Sequence, residues 1–347
     1  MNQSLNELLK QTSRSFYLTL RILPGAVRSQ IGLAYLLART TDTVADTDLV
    51  SVERRLQTLA ELRARILGQS DRTLDFGELA RQQGSTAERQ LLEHCEDSLA
   101  YLKSLPPADV ELIRGVLDTI TSGQELDLRR FADAGRSSRG DRTGEETGAP
   151  VVVALRTEQE LDDYTYRVAG CVGEFWTKLC RTHLFPQAQL DVGRLLTNGV
   201  RFGKGLQLVN ILRDIPADLR KGRCYLPADG LAELHLFPDD LLRPANEQKL
   251  RPLFNVWLNR ARDHLAAGWD YTNTLPRGQM RVRLACAWPI LIGLKTIERL
   301  KSGEVLDPQK RIKVPRTEVR ALMIQSVVRY PFPRSWRKMG LTHESTR

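Results

Sequence analysis

Through most of this 347-residue chain the apolar side chains recur at intervals of three and four and almost nowhere alternate, which confines the chain to helices. From Val52 to Ile66, for example, Leu56, Leu59, Leu62 and Ile66 make one stripe among Arg and Glu, with Ser51 placed to cap the helix. The spacing predicts helices near 2–12, 24–47, 51–68, 85–104, 108–131, 188–219, 245–274 and 279–302. Pro106-Pro107 breaks the chain before the fifth of these, in which Leu112, Val116, Ile120 and Leu126 face inward. Thr157-Glu-Gln-Glu160 forms a capping box launching a further helix to about 183, carrying Tyr164, Tyr166 and Gly170. Only Val151 to Leu155 reads as β-like, so the expectation is an all-α protein, one domain over 1–330 followed by a basic polar tail at 331–347. Between Asp133 and Pro150 the composition turns to Gly, Ser, Arg and Asp, which predicts a surface loop or an excursion over substrate.

Within this helical frame two aspartate pairs stand at the spacing of one helical turn: Asp42-Thr-Val-Ala-Asp46 and Asp214-Ile-Pro-Ala-Asp218. Residues four apart share a helix face, so each pair offers two convergent carboxylates. Hard carboxylate oxygens suit Mg²⁺, which keeps several waters and completes its octahedron with substrate phosphates. Cations accompany both pairs: Arg39 precedes Asp42 by three residues, Arg213 adjoins Asp214, and Lys221 and Arg223 follow Asp218. Arginine grips phosphate oxygens bidentately, so carboxylates for a metal and cations for an anion recur together. Acidic residues four apart are also common on exposed helices, and the repeated pattern is what favours a metal-diphosphate site.

The net charge of +9 suits anionic partners without choosing among diphosphates, lipid headgroups and nucleic acid. A basic helical protein that only binds nucleic acid or membranes is the non-enzyme alternative. It is disfavoured because the cations are interleaved with 42 acids and no nucleic-acid-binding motif is present. The cysteines at 95, 171, 180, 224 and 286 show no CxxC spacing, so reduced core thiols in a cytoplasmic protein are expected, without structural zinc. The most apolar stretch, Ala285 to Leu294, contains Pro289 and reads as a buried helix rather than a membrane anchor.

In order along the chain, several segments together resemble the squalene and phytoene synthase family of head-to-head prenyl synthases. They are Thr12-Ser-Arg-Ser-Phe16, Tyr35-Leu-Leu-Ala-Arg39 running into Asp42 and Asp46, Tyr164-Thr-Tyr-Arg-Val-Ala-Gly170-Cys-Val-Gly173, and Gln207-Leu-Val-Asn210-Ile-Leu-Arg213-Asp214 through Asp218 to Lys221-Gly-Arg-Cys-Tyr-Leu-Pro227. The resemblance implies the isoprenoid synthase fold, a single helical domain around a central cavity with the two Asp motifs facing each other across its mouth. It implies a Mg²⁺-dependent prenyltransferase acting on farnesyl diphosphate, with Asp42, Asp46, Asp214 and Asp218 as metal ligands. Arg14, Ser15, Arg39, Gln207, Asn210, Arg213, Lys221 and Arg223 would bind substrate, and Phe16, Tyr35 and Tyr164 would shield carbocations with their π faces.

The family divides by product. Its squalene branch, which serves sterol and hopanoid synthesis, quenches the second cation with hydride from NADPH, whereas the phytoene and dehydrosqualene branch loses a proton. Ile312-Lys-Val-Pro-Arg316 through Met323 is similar to a squalene-synthase segment implicated in NADPH binding, with Lys313 and Arg316 as its cations, and favours squalene. Against this, Arg167 stands where eukaryotic squalene synthases carry a tyrosine before Val-Ala-Gly, and Tyr-x-Tyr-Arg-Val-Ala-Gly matches phytoene-type enzymes. Gly203-Lys-Gly205 is too short for a dinucleotide fingerprint. The tail Arg329-Tyr-Pro-Phe-Pro-Arg-Ser-Trp-Arg-Lys338 mixes aromatics with cations and suggests a peripheral membrane contact or a disordered end. A monomer that binds no nucleic acid is expected.

Overall fold

The structure is a computed structural model that describes residues 3–13, 16–48, 50–132 and 151–340, and of Phe16 the backbone alone. The loop expected at Asp133 to Pro150 lies outside the described residues. The first helices are α1 (Gln3–Ser13), α2 (Phe16–Ile22), α3 (Gly25–Asp46), α4 (Val52–Leu67), α5 (Gly77–Arg81), α6 (Thr86–Glu93), α7 (Cys95–Lys103) and α8 (Pro107–Arg130). There follow strand β1 (Val153–Ala154), α9 (Glu158–Thr165), a π-helical turn (Tyr166–Gly170), α10 (Cys171–Leu184), α11 (Val192–Arg220), strand β2 (Arg223–Cys224) and α12 (Ala228–Glu233). Two short 3₁₀ turns lead to α13 (Glu247–Thr274), α14 (Met280–Ser302), α15 (Arg316–Arg329) and α16 (Pro333–Met339). The all-α expectation holds, and no helix among the described residues is long and apolar enough to cross a membrane.

The chain gathers into two compact units, each assembled from separate stretches of sequence: Met1–Arg129, Cys171–Thr197 and Thr274–Cys286 form one, and Arg130–Gly170, Asn198–Asn273 and Ala287–Arg347 the other. In the first unit α3 is the central element, packed by α1, α2, α4, α6, α7 and α10. Its apolar residues Val27, Ile31, Leu33, Leu36, Leu37 and Val44 are buried, which leaves one polar face free to carry chemistry. Ser51 caps α4 as read from sequence, its hydroxyl accepting from the Arg54 N–H at 3.3 Å. The helix expected at 85–104 is instead two, broken at His94, whose Nδ1 lies 2.8 Å from Asp97 Oδ2. Buried Asp109 receives Gln30 Nε2 at 3.1 Å and faces His183 Nε2 at 2.7 Å, joining α8 to α3 and α10.

In the second unit the capping box works as predicted, with Thr157 Oγ1 accepting from the Glu160 N–H at 3.3 Å to start α9. The helix does not run unbroken to 183. At Tyr166–Gly170 it widens into a π-turn against which α11 packs at backbone distance, since a Cβ on Gly203 would stand 2.1 Å from the Ala169 carbonyl oxygen. The glycines of Gly203-Lys-Gly205 therefore serve packing. The β-like run at 151–155 finds a partner in the parallel pair Val153 with Arg223 and Ala154 with Cys224. Part of the expected polar tail is folded: in α16 Trp336 is buried, stacks on Trp269 at 5.2 Å and donates to Asn273 Oδ1 at 2.9 Å.

Candidate active site

Two helix faces carry most of the residues singled out above. On α3, in the first unit, Tyr35, Arg39, Asp42 and Asp46 follow one another at four, three and four residues and share a face. Asp42 is the best defined of these. Its Oδ1 accepts a short hydrogen bond from Gln124 Nε2 of α8, and its Oδ2 lies 3.9 Å from Arg39 Nη1. Burial, and next the like charge of Asp46, push its carboxyl up to about 6, opposed by Arg39 and the Gln124 hydrogen bond. Half of the side-chain surface stays open to solvent, so the carboxyl is recessed rather than sealed and an ion can reach it. Arg39 gives its shorter contact, 2.5 Å, to Glu88 of α6.

The end of α3 is held from outside. Arg55 Nη1 donates to the Ala45 carbonyl at 3.0 Å, while Thr47 Oγ1 donates to the Thr43 carbonyl at 2.6 Å and accepts from Gln83 Nε2 at 2.7 Å. A buried arginine thus satisfies one of the orphan carbonyls beside Asp46. The Tyr35 hydroxyl donates to the Thr12 carbonyl at 3.2 Å. Arg14 and Ser15 lie outside the described residues, as does the side chain of Phe16.

On α11, in the second unit, Gln207, Asn210, Asp214 and Asp218 form the corresponding stripe, with Leu208, Ile211, Leu212, Ile215 and Leu219 buried around it. Asp214 is clamped by its neighbour: Arg213 Nε donates to Oδ1 at 3.0 Å and Nη2 to Oδ2. Pro216 stands between the two aspartates inside the helix and removes the N–H that would have reached the Leu212 carbonyl. Past Arg220 the chain turns at Gly222, whose φ of +72° lies in the left-handed region open to glycine. That turn delivers Arg223 to β2, its guanidinium 5.9 Å from the centre of the Phe131 ring. Lys221 is exposed beside it. Burial first, aided by the nearby charge of Asp218, holds the Cys224 thiol up at about 12.

Tyr164 joins an aromatic stack in this unit, 4.8 Å from Tyr225, which Phe131 meets edge-on at 5.4 Å. Neither Tyr225 nor Phe131 was singled out from sequence, although Tyr225 lies inside the Lys221 to Pro227 motif. Gln124 was also missed. It falls four residues after Ile120 on the inward stripe of α8, where a polar side chain demands a buried partner. Tyr166 and Arg167 are directed elsewhere. Arg167 pairs with Asp163 at 2.8 Å, and Tyr166 lines a recess of about 620 Å³ with Glu158, Asp162, Lys204 and His264. In that recess burial, together with Arg201 and Lys204, lowers His264 to about 4. Lys313 and Arg316 are exposed at the approach to α15 and in its first turn.

The donors fit magnesium. Each stripe supplies carboxylate oxygen without imidazole or thiolate, and Asp42 with Asp46 is a like-charge pair that a divalent cation would relieve. For a phosphate-bearing cofactor the exposed cations Lys313 and Arg316 fit by charge, at a helix start that no side chain caps.

Comparison with known proteins agrees with this geometry. Residues 9–318 match the Squalene/phytoene synthase family model. A bifunctional lycopene cyclase/phytoene synthase of Gibberella fujikuroi is 26% identical over 314 residues, covering 88% of this chain and 50% of that protein. The chain thus spans about half the length of the first curated relatives it matches. Among solved structures, a complex of TcSQS with BPH1237 superposes with a TM-score of 0.76 at 19% identity, over 99% of this chain and 94% of the other. A dehydrosqualene synthase in complex with ligand gives 0.64 at 19% identity, over 93% and 94%. These likenesses establish the all-α isoprenoid synthase fold, and the match over most of its length makes this chain a member of the squalene/phytoene synthase family, enzymes of the prenyltransferase type.

Proposed function

We propose that the protein joins two molecules of farnesyl diphosphate head to head and, given NADPH, carries the product to squalene. The observation that carries the reading is the pair of aspartate stripes on α3 and α11, each accompanied by an arginine, in a chain of this family. Asp42 and Asp46 on one stripe, and Asp214 and Asp218 on the other, would hold Mg²⁺. Magnesium, when bound, neutralises the diphosphate as the allylic C–O bond breaks and the electron pair leaves with oxygen. Arg39, Arg213 and Arg223 add positive charge for the departing anion, and Gln207 and Asn210 donate hydrogen bonds to it. Arg213 must turn from Asp214 to do so. The double bond of the second prenyl chain attacks the allylic cation, and loss of a proton closes the cyclopropylcarbinyl diphosphate. Tyr164, stacked on Tyr225, offers a rigid π face to cationic carbon. Lys313 and Arg316 would hold the phosphates of NADPH, which would supply the hydride needed to complete squalene.

A second reading, a phytoene or dehydrosqualene synthase, or an enzyme that stops at the cyclopropyl diphosphate or its hydroxylated product, is favoured by Arg167. Its guanidinium is engaged with Asp163, so the acid or base expected before Val-Ala-Gly is missing. The names of the first curated relatives point the same way. Incubation with farnesyl diphosphate and Mg²⁺, with and without NADPH, followed by mass analysis of the lipids, separates the readings. Squalene formed only with NADPH, and lost in Lys313→Ala/Arg316→Ala while NADPH-free turnover persists, is the expected result. The same dehydrogenated or arrested product in both tubes would replace it with the second reading.

A further inference from the structure

Helix α15 leaves apolar side chains in solvent while it buries a serine. Its one fully buried residue is Ser326, at 0% exposure, whose hydroxyl accepts from Trp288 Nε1 at 2.9 Å and donates to the Met323 carbonyl at 2.6 Å. On the opposite face Ile324 and Val328 are 64% and 62% exposed, with Val327 at 42%. Phe332, just past the helix, is 63% exposed. Single exposed apolar residues are ordinary, but four within nine positions form a patch. The helix cannot roll to hide it. The Ser326 contacts fix one side, and the following segment is fastened by Trp336, which stacks on Trp269 and meets Tyr330 edge-on, with Trp269 Nε1 donating to the Arg337 carbonyl at 3.0 Å.

Charge identifies the occupant. From Val319 to Gly340 the chain contains Arg320, Arg329, Arg334, Arg337 and Lys338, all exposed, and no Asp or Glu. The nearest acid, Glu318, is paired with Arg299 at 2.6 Å. A second copy docking on this face would set arginine against arginine. An anionic bilayer instead accepts the apolar side chains below its headgroups while the arginines reach the phosphates. We propose that the α15 face, with Phe332 and its arginine rim, is a peripheral docking surface for anionic lipid bilayers. Of the aromatics in the tail, Trp336 is buried as a core plug, whereas Phe332 extends the exposed α15 face.

The proposal does not rest on the reaction assigned above, because vesicle binding is read without turnover. The test is flotation of the full chain with vesicles of phosphatidylcholine alone and of phosphatidylcholine mixed with phosphatidylglycerol, at low and high salt. Binding is expected only to the mixed vesicles and should weaken with salt. Ile324→Ser/Val328→Ser/Phe332→Ser should cut partitioning at least about tenfold, and Arg320→Gln/Arg334→Gln about fivefold for each arginine removed. All these side chains point to solvent, so circular dichroism should match the parent. Three results would overturn the proposal: no flotation with mixed vesicles, undiminished flotation of the triple variant, or a concentration-dependent dimer that the triple variant abolishes.

Discussion

The two aspartate stripes look alike in sequence and differ in physical state. On α3 the helix is regular, Arg39 gives its shorter contact to Glu88, and burial followed by the like charge of Asp46 raises the Asp42 carboxyl to about 6 against the pull of Arg39 and the Gln124 hydrogen bond. On α11 a proline interrupts the same spacing, and Asp214 is already neutralised by the adjacent Arg213. One stripe holds two carboxylates that Arg39 offsets only in part. The other holds an internal ion pair that has to open. Two copies of one motif can therefore differ in which is loaded first, because compensation depends on neighbours outside the motif.

The largest expected effect tests what they share. Asp42→Asn and Asp214→Asn should each lower kcat for prenyl coupling about a thousandfold, since each would remove a proposed Mg²⁺ ligand whose charge matters most as diphosphate departs. A loss confined to one of them would break the symmetry of the reading. The next effect separates them. Protons and Mg²⁺ compete for Asp42, so the Mg²⁺ concentration giving half-maximal rate should climb as pH falls through about 6. Gln124→Leu removes a hydrogen bond that favours the carboxylate, and the climb should begin at higher pH. A profile unmoved by Gln124→Leu would show that the amide does not tune the site.

The smallest effect is on stability without metal. Asp42 has a folded-state value above its unfolded one, so between 3.8 and about 6 the folded state binds more protons, and this group's contribution to stability declines as pH rises through that window. Asp42→Asn in chelator should melt no lower than the parent at neutral pH. Asp214→Asn should cost about 1 kcal/mol or less, the worth of a partly exposed ion pair. Equal melting shifts in a thermal scan would contradict the distinction between the stripes.

Much of the fold was legible because periodicity and capping are local. Leu59, Leu62 and Ile66 are buried as their spacing required, Ser51 and Thr157 cap where they were placed, and Val151 to Leu155 did contain a strand. Where reading along the chain fell short, a distant residue had decided the matter. The π-turn at Tyr166–Gly170 is matched to Gly203, and the burial of Trp336 to Trp269 and Asn273.

From its own order, then, the chain determined that it would be helical, that four aspartates would stand on two polar faces with arginines beside them, and which family's motifs it carries. Those depend on residues within a turn or two of one another, where spacing dictates direction. Only the tertiary structure decided that burial and the Gln124 amide set the charge state of Asp42, that Tyr164 stacks on Tyr225, and that α15 turns its serine inward and its isoleucine and valines out. These outcomes come from side chains far apart in sequence competing for the same buried space, and no local pattern records which of them wins.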